Sequence, residues 1–315
     1  MLRNPTRVAG CLVRPRVLKL CRIRESAARV DMNILRRAAS LRRGETVLTA
    51  GKQLRPADIG LLAEVGRAAV RAIPPVRIAV LATGNELVPP DQVPAPGQIR
   101  NSNSVMLVAC SRKAGAAPRD LGIARDEAAQ LNQSIAEGLK SDVLILSGGV
   151  SAGTLDLVPS VLKDLGVEEV FHKVRLKPGK PIWFGVRVKS EVGGRRSEGG
   201  QVESTLVFGL PGNPVSTLVC FELFIRPAIE LLAGRPAEDR KTIQGRLAAA
   251  FQHRGDRPTY YPAVLTRDEQ GNLLSPLDWK GSADLRSLAS ANALILFPAG
   301  DRSYAAGETV DALPL

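Results

Sequence analysis

The stretch that most constrains the chain is DVLILSGGVSAGTLDLVP, residues 142–159. Val143 to Leu146 form an uninterrupted apolar run, as expected of a strand covered on both faces of a parallel sheet. The run enters Ser147-Gly148-Gly149 directly, and a helix is expected from about Thr154 to Leu165. A strand, a Gly-rich turn and a helix N-terminus together make an anion site. Small residues let backbone N–H groups approach a ligand, and the helix dipole favours negative charge there. Asp156 adds a carboxylate to the same loop, which suits an anion site if a divalent cation bridges the two. The turn has neither the Gly-Lys-Ser/Thr of a nucleotide phosphate loop nor a dinucleotide GxGxxG, and alone it also reads as a simple tight turn.

The same arrangement recurs along the chain. From Val76 to about Leu232 strand and helix alternate, which predicts an α/β fold with a doubly wound, mostly parallel sheet. Ligands of such sheets bind outside the carboxyl ends of the strands. Thr83-Gly84-Asn85-Glu86 follows the strand Val76–Ala82, and Asp126 follows a strand near Arg119–Ile123. Ser147 to Asp156 follows Val143–Leu146 and includes Ser151; Pro211-Gly212-Asn213-Pro214, with Ser216 behind it, follows Leu206–Leu210. Each residue has an ordinary reading: Asp126 as the cap of a helix from Glu127, Glu86 as a solvated loop residue, Asn213 as a turn residue. Together they predict one edge carrying the carboxylates Glu86, Asp126 and Asp156, several hydroxyls and two helix N-termini. The segment RLKPGKP holds Arg175, Lys177 and Lys180 on a turn stiffened by two prolines and a glycine. Alone it is a solvated hairpin; facing the carboxylate and Gly loops it is a clamp for phosphate or another tetrahedral oxyanion. His172 and His253 fall in strand-like segments and read as structural, without a nucleophile partner.

The flanks are simpler. Residues 1–30 stay unassigned: their charge resembles a mitochondrial presequence, but no serine precedes Ser26 and no amphipathic face emerges. Residues 31–74 read as the remnant of an N-terminal domain or linker. Within them GETVLTAGKQL shows β-type alternation, and a helix opens at Pro56 with Ile59, Leu61, Leu62 and Val65 on its apolar side. Pro74-Pro75 reads as a hinge, 75–234 as the α/β domain, and the charged Gly/Ser segment Lys189–Ser204 as a surface insertion. Residues 235–315 change to short alternating strands, a smaller mainly-β C-terminal domain in which no titratable cluster is evident, so its expected role is structural or interfacial.

Charge and cysteine usage narrow the function. The net charge of +12 suggests nucleic acid, but residues 1–43 hold 12 Lys or Arg against two acids, leaving the rest nearly neutral. With aromatics at only 4%, nucleic-acid binding is not expected. No apolar run is long enough to span a bilayer, so no membrane partner is expected. Four scattered cysteines without CxxC fit a reducing, cytoplasmic setting.

The segments TGNEL, GQIRNSN, DLGIARDE, SGGVSAGTLD, FHKVRLKPGKP, FGLPGNPVS and GDRSYAAGETV stand in the order and spacing of one family. From about Asn33 onward the chain resembles the MoeA family of molybdopterin molybdenumtransferases, to which the E domain of gephyrin and its plant counterpart are related. The resemblance implies molybdenum cofactor synthesis: insertion of molybdenum from molybdate into adenylated molybdopterin, release of AMP, and assistance by Mg²⁺. It implies that Glu86, Asp126 and Asp156 hold or steer the divalent cation, and that Gly148, Gly149 and Ser151 cradle the pterin phosphate. Arg175, Lys177, Lys180 and Ser216 would bind phosphate or molybdate, and Pro211 and Pro214 would shape the wall. Two asparagines, Asn85 and Asn101, stand where the family usually has Asp. The family also carries a longer N-terminal part that lends residues to the active site across a homodimer, so the resemblance reads this chain as N-terminally truncated. That leaves as alternatives a non-catalytic pterin-binding or scaffold paralogue, or another enzyme on the same α/β domain.

Overall fold

Val143, Leu144, Ile145 and Leu146 are fully buried, and alternate side chains enter two different cores. A strand flanked by water on one face would alternate apolar with polar; this one is covered on both. The computed structural model describes residues 34–149, 157–188, 204–235 and 242–315. Contacts divide the chain between Ala68 and Ala69 into two compact units.

The described part of the first unit contains helix α1 (Pro56–Glu64), with a proline in its first turn as expected. Asp58 is buried and accepts from Arg55 and, at 2.7 Å, from Lys52. Hydrogen bonds from Arg55 and Lys52 hold its carboxyl well below the usual carboxylate range. The alternation of GETVLTAGKQL forms no strand, and Ile59 remains 58% exposed. A strand needs a neighbour for its backbone groups, and the described residues of this unit offer none.

The second unit begins with β1 (Arg77–Thr83), the short parallel pair β2 (Leu87–Val88) and β3 (Ile99–Arg100), and α2 (Ser102–Lys113). Next come β4 (Ala117–Ala124), α3 (Ala128–Gly138), β5 (Val143–Ser147), α4 (Val158–Asp164), β6 (Glu168–His172), β7 (Trp183–Val188) and β8 (Ser204–Leu210). The sheet runs β4-β1-β5-β8-β7-β6. The first four strands are mutually parallel, and β7 and β6 form an antiparallel edge hairpin. Leu81, Leu144 and Leu146 pack with Leu131 and Ile135 of α3 and Leu162 of α4 on one face. Ile78, Val80, Ile145 and Phe208 pack with Leu107 of α2 and with Phe221 and Ile225 on the other. This is the expected doubly wound, mostly parallel sheet. The expected insertion at Lys189–Ser204 falls outside the described residues except for Ser204, which opens β8.

A single helix is expected from Val215 to Leu232; the structure interrupts it. Helix α5 (Pro214–Cys220) passes through a π turn, Phe221–Ile225, into α6 (Arg226–Leu232). The π turn carries the buried Glu222, whose carboxylate accepts from Arg226 at 2.6 Å, and Arg226 lies over the Phe221 ring. The pair satisfies a charge that could not be buried alone.

The C-terminal strands are β9 (Ile243–Leu247), β10 (Phe251–His253), β11 (Thr259–Asp268), β12 (Gly271–Pro276), β13 (Ala293–Phe297), β14 (Arg302–Tyr304) and β15 (Thr309–Pro314). Five of them close a barrel in the order β11-β12-β9-β15-β13, while β10 pairs with β14 beside it. Helix α7 (Leu285–Ser290) lies between β12 and β13, capped by Asp284. The barrel core centres on Phe297, stacked on Phe251 at 4.7 Å between centroids. No helix among the described residues is long and apolar enough to cross a membrane.

Because β5 is packed on both faces, Leu146→Ala is expected to cost about 3 kcal/mol. Urea denaturation of the variant checks this; a loss under about 1 kcal/mol would contradict the two-sided burial.

Candidate functional site

The ends of the four parallel strands are level. Thr83 pairs in register with Ala124, Ala82 with Ser147, and Ser147 with Leu210. The loops carrying Glu86, Asp126, Gly148-Gly149 and Pro211–Pro214 therefore leave the sheet at one edge, as the sequence predicts. Gly148 (φ +92°) and Gly149 (φ +61°) lie in the left-handed region, and a Cβ on either would come within 2.5 Å of Thr83. Only glycine fits here. Asn103, from the first turn of α2, donates through Nδ2 to Ser147 Oγ at 2.9 Å and to the Gly212 carbonyl at 2.8 Å. Its Oδ1 and the Thr83 hydroxyl are buried without a partner among the described residues. Unpaired buried polar atoms are costly; Asn103 Oδ1 can only accept, whereas the Thr83 hydroxyl can donate or accept.

The carboxylates sit on neighbouring exposed loops. The Glu86 carboxylate folds back over Gly84, filling space a side chain there would need. Asp126 is not a helix cap. Its N–H donates to Asn85 Oδ1 at 3.2 Å, and α3 starts two residues later behind Glu127. That tether joins the loops after β1 and β4, strengthened by Arg125 donating to the Asn85 carbonyl at 2.7 Å. Asn101, in contrast, does cap α2, accepting from the Ser104 N–H at 3.1 Å. Asp156 and Ser151 lie outside the described residues, and among the described residues no three metal-ligating side chains come together.

The cationic clamp packs against the C-terminal domain. Lys177 and Lys180 line a cavity of about 700 Å³ between the KPGKP turn, the Pro211–Ser216 turn and the C-terminal barrel. Glu86, Asp126 and the Gly148-Gly149 turn do not line it. Arg175 does not line it either: its guanidinium donates to the Asp256 carbonyl at 2.9 Å. The opposite wall comes from the barrel side, with Arg254, Arg257 and Lys280 beside Phe251, Tyr261 and Trp279. No described Asp or Glu lines the cavity, though Lys280 pairs with Asp278 at 2.7 Å and Arg257 with Asp256 at 3.4 Å behind the lining. The expectation that the C-terminal domain lacks a charged cluster is thus overturned. The cations are spread from residue 254 to residue 280, and the antiparallel β11–β12 hairpin brings them together. A sequence signal did exist: Arg254-Gly-Asp-Arg257-Pro and Lys280-Gly-Ser repeat the basic-residue-on-a-turn pattern of KPGKP.

Backbone bonds fuse the two walls. Lys177 N–H donates to the Pro258 carbonyl at 2.9 Å, and Tyr260 N–H to the Lys177 carbonyl at 2.8 Å. Arg257 donates to the Leu176 carbonyl at 3.1 Å. Behind the clamp, Gly179 sits against Cys220 Sγ, a thiol that burial pushes up to about 12. On the other side, Asn213 Nδ2 donates to Ser282 Oγ at 2.8 Å and Val215 N–H to the Ser282 carbonyl at 3.0 Å. The Val215 donor at the start of α5 is therefore spent on the C-terminal domain rather than open to an anion. Pro211 and Ser216 line the cavity, Pro214 opens α5, and Thr217 Oγ1 locks the turn onto the Pro211 carbonyl at 2.7 Å.

Residues 79–231 match the family described as a probable molybdopterin binding domain, and residues 244–315 match the MoeA C-terminal region (domain IV). The chain belongs to the MoeA family. Its MoeA relatives include the molybdopterin molybdenumtransferase of Bacillus subtilis, 32% identical, with 89% of this chain and 62% of that protein covered. Molybdopterin molybdenumtransferase 2 of Mycobacterium tuberculosis is 36% identical, with 87% and 65% covered. The solved structure of the molybdopterin biosynthesis MoeA protein from Pyrococcus horikosii superposes with a TM-score of 0.67 at 30% identity, covering 84% of this chain and 60% of that one. The chain thus spans less than two thirds of the length of each. In this MoeA chain the cationic cavity lies between the two matched segments.

Asp284 holds one side of that cavity, accepting from Ser287 Oγ at 2.6 Å and from the Lys280 N–H at 3.0 Å. These bonds, the Ser287 hydroxyl foremost, lower its carboxyl to about 2. A depressed carboxyl stabilises the fold above its unfolded range and loses that contribution as pH falls through the folded value. Asp284→Ala is therefore expected to melt lower than the parent at neutral pH, the gap closing between about pH 4 and pH 2. Paired thermal melts across that range check this; a pH-independent gap would exclude the charge as its source.

Proposed function

We propose that the chain acts in molybdenum cofactor biosynthesis as a molybdopterin molybdenumtransferase. It takes adenylated molybdopterin and molybdate, passes the metal to the pterin dithiolene and releases AMP. The observation that carries this reading is a cation-lined cavity of about 700 Å³ sharing the Pro211–Ser216 turn with the glycine edge of the sheet. A tetrahedral dianion needs fixed cations and hydroxyls, and Lys177, Lys180 and the Ser216 hydroxyl offer them, with Arg257 and Lys280 beside them paired to Asp256 and Asp278. The pterin phosphate belongs at the neighbouring edge, against Gly148 and Gly149, with Thr83, Ser147 and Asn103 behind it. The names carried by the relatives support the enzymatic reading over a binding paralogue.

Mg²⁺ suits the hard oxygen donors of Glu86 and Asp126, joined by Asp156, since this ion usually takes one or two carboxylates plus phosphate oxygens. When bound it would neutralise the phosphate that leaves with AMP. The chain's own residues hold the oxyanion, orient the pterin and wall the site from water. The reading includes a homodimer in the cytoplasm and a division into 31–74, 75–234 and 235–315, with 1–30 unassigned.

AMP release from adenylated molybdopterin, with Mg²⁺ and with or without molybdate, tests the reading. Molybdate-dependent release is expected, and Lys180→Ala is expected to lower kcat/KM for molybdate about a hundredfold without changing the circular dichroism. Release indifferent to molybdate, or to Lys180, would refute it.

A further inference from the structure

The cavity is much larger than the oxyanion assigned to it. A volume of about 700 Å³ is that of a pocket enclosing a drug-sized organic molecule, and a tetrahedral oxyanion held by Lys177, Lys180 and Ser216 leaves most of it unfilled. The remaining space is bounded by the barrel side.

That side is aromatic. Phe251, Tyr261 and Trp279 line it, each half-buried, packed against an apolar core while still bordering the cavity. Tyr261 stands between the other two. The Trp279 ring meets it at 90° with centroids 5.2 Å apart, and the Phe251 ring at 70° and 4.9 Å. The Tyr261 hydroxyl is already committed, donating to the Leu277 carbonyl at 2.9 Å, so its contribution to the cavity is ring surface. Steep mutual angles make a corner, which can take the face of a planar ligand against one ring and its edge against the next.

The charges decide what kind of ligand fits. An aromatic corner also suits a quaternary ammonium, but Lys177 and Lys180 have no ion-pair partner among the described residues and repel a cation. A planar ring carrying a negative group satisfies both walls, the ring at the aromatics and the charge at the lysines. An electron-poor ring stacks best, since phenol and indole present electron-rich faces. The neighbouring edge fixes the order along the substrate. Asn103 bonds both Gly212 of the shared turn and Ser147 of the glycine edge, so one side chain bridges the cavity wall and the phosphate position proposed above. In molybdopterin the dithiolene lies between the phosphate ester and the fused ring. With the phosphate at the glycine edge and the dithiolene at the lysines, the ring reaches the aromatic corner.

We propose that Phe251, Tyr261 and Trp279 form the subsite for the pterin ring, an electron-poor fused heteroaromatic held by stacking while its dithiolene lies toward Lys177 and Lys180. The proposal rests on the molybdenumtransferase reading above. It gives the C-terminal domain a part in substrate recognition and leaves the adenylate outside the cavity.

Calorimetry on the full chain with pterin carboxylate, a fused ring bearing one fixed anion, tests this alongside AMP. The pterin is expected to bind. Trp279→Leu and Tyr261→Leu are each expected to weaken it about tenfold, while Tyr261→Phe, which keeps the ring, binds as the parent does. Thermal melts show whether the leucine variants fold. If they do not, the parent decides: NMR contacts are expected between the pterin ring hydrogen and an indole. Of the two tryptophans, Trp183 is 2% exposed in the sheet core, so an indole contact reports Trp279. A parent that binds no pterin, folded leucine variants that bind it as tightly as the parent, or a bound pterin without the indole contact would overturn the proposal. So would AMP binding that depends on the aromatics while pterin binding does not. Pterin held at the corner by a chain without molybdate-dependent AMP release would support the subsite and refute the transferase reading.

Discussion

The turn Pro211–Pro214 is the constraint on which the rest of the site depends. Its Gly212 carbonyl is bound by Asn103 from the sheet side, and its Asn213 amide by Ser282 from the barrel side. Thr217, one turn into α5, pins the Pro211 and Asn213 carbonyls from behind. Two prolines fix backbone torsions and leave few donors, so the turn holds its shape with little internal bonding. It becomes a shared wall, with the glycine edge of the parallel sheet on one side and the cationic cavity on the other. A shift of this turn would move both at once.

The charges on either side of that wall are segregated. Glu86 and Asp126 leave the sheet with β1 and β4, while the lysines and arginines of the cavity belong to the β6–β7 connection and the barrel. Had the carboxylates faced the clamp directly, they would have neutralised it and competed with any anion. The backbone bonds between Lys177 and the 258–260 segment then set the spacing of the cavity's own walls.

The α/β domain was legible in the sequence to an unusual degree. The fully apolar run of β5 and the glycines after it were readable because each is imposed locally, by burial on two faces or by positive φ. Misreadings arose where a partner decides. GETVLTAGKQL alternates like a strand and forms none. Asp126 looks like a cap but is tied by its own N–H to Asn85. Arg175 sits in the clamp motif yet donates to the Asp256 carbonyl.

The sequence by itself determined which residues line the sheet's carboxyl edge. Strand polarity and the period of two are local properties, so Thr83, Ser147 and Leu210 come level once the strands pair in parallel. Only the tertiary structure decided what the clamp faces. Arg254, Arg257 and Lys280 join Lys177 and Lys180 because the backbone of Lys177 bonds the 258–260 segment, a non-local contact that no local pattern encodes. The packing of β10 and β14 beside the barrel likewise set the His253 ring against Phe297, a contact that only the tertiary structure makes.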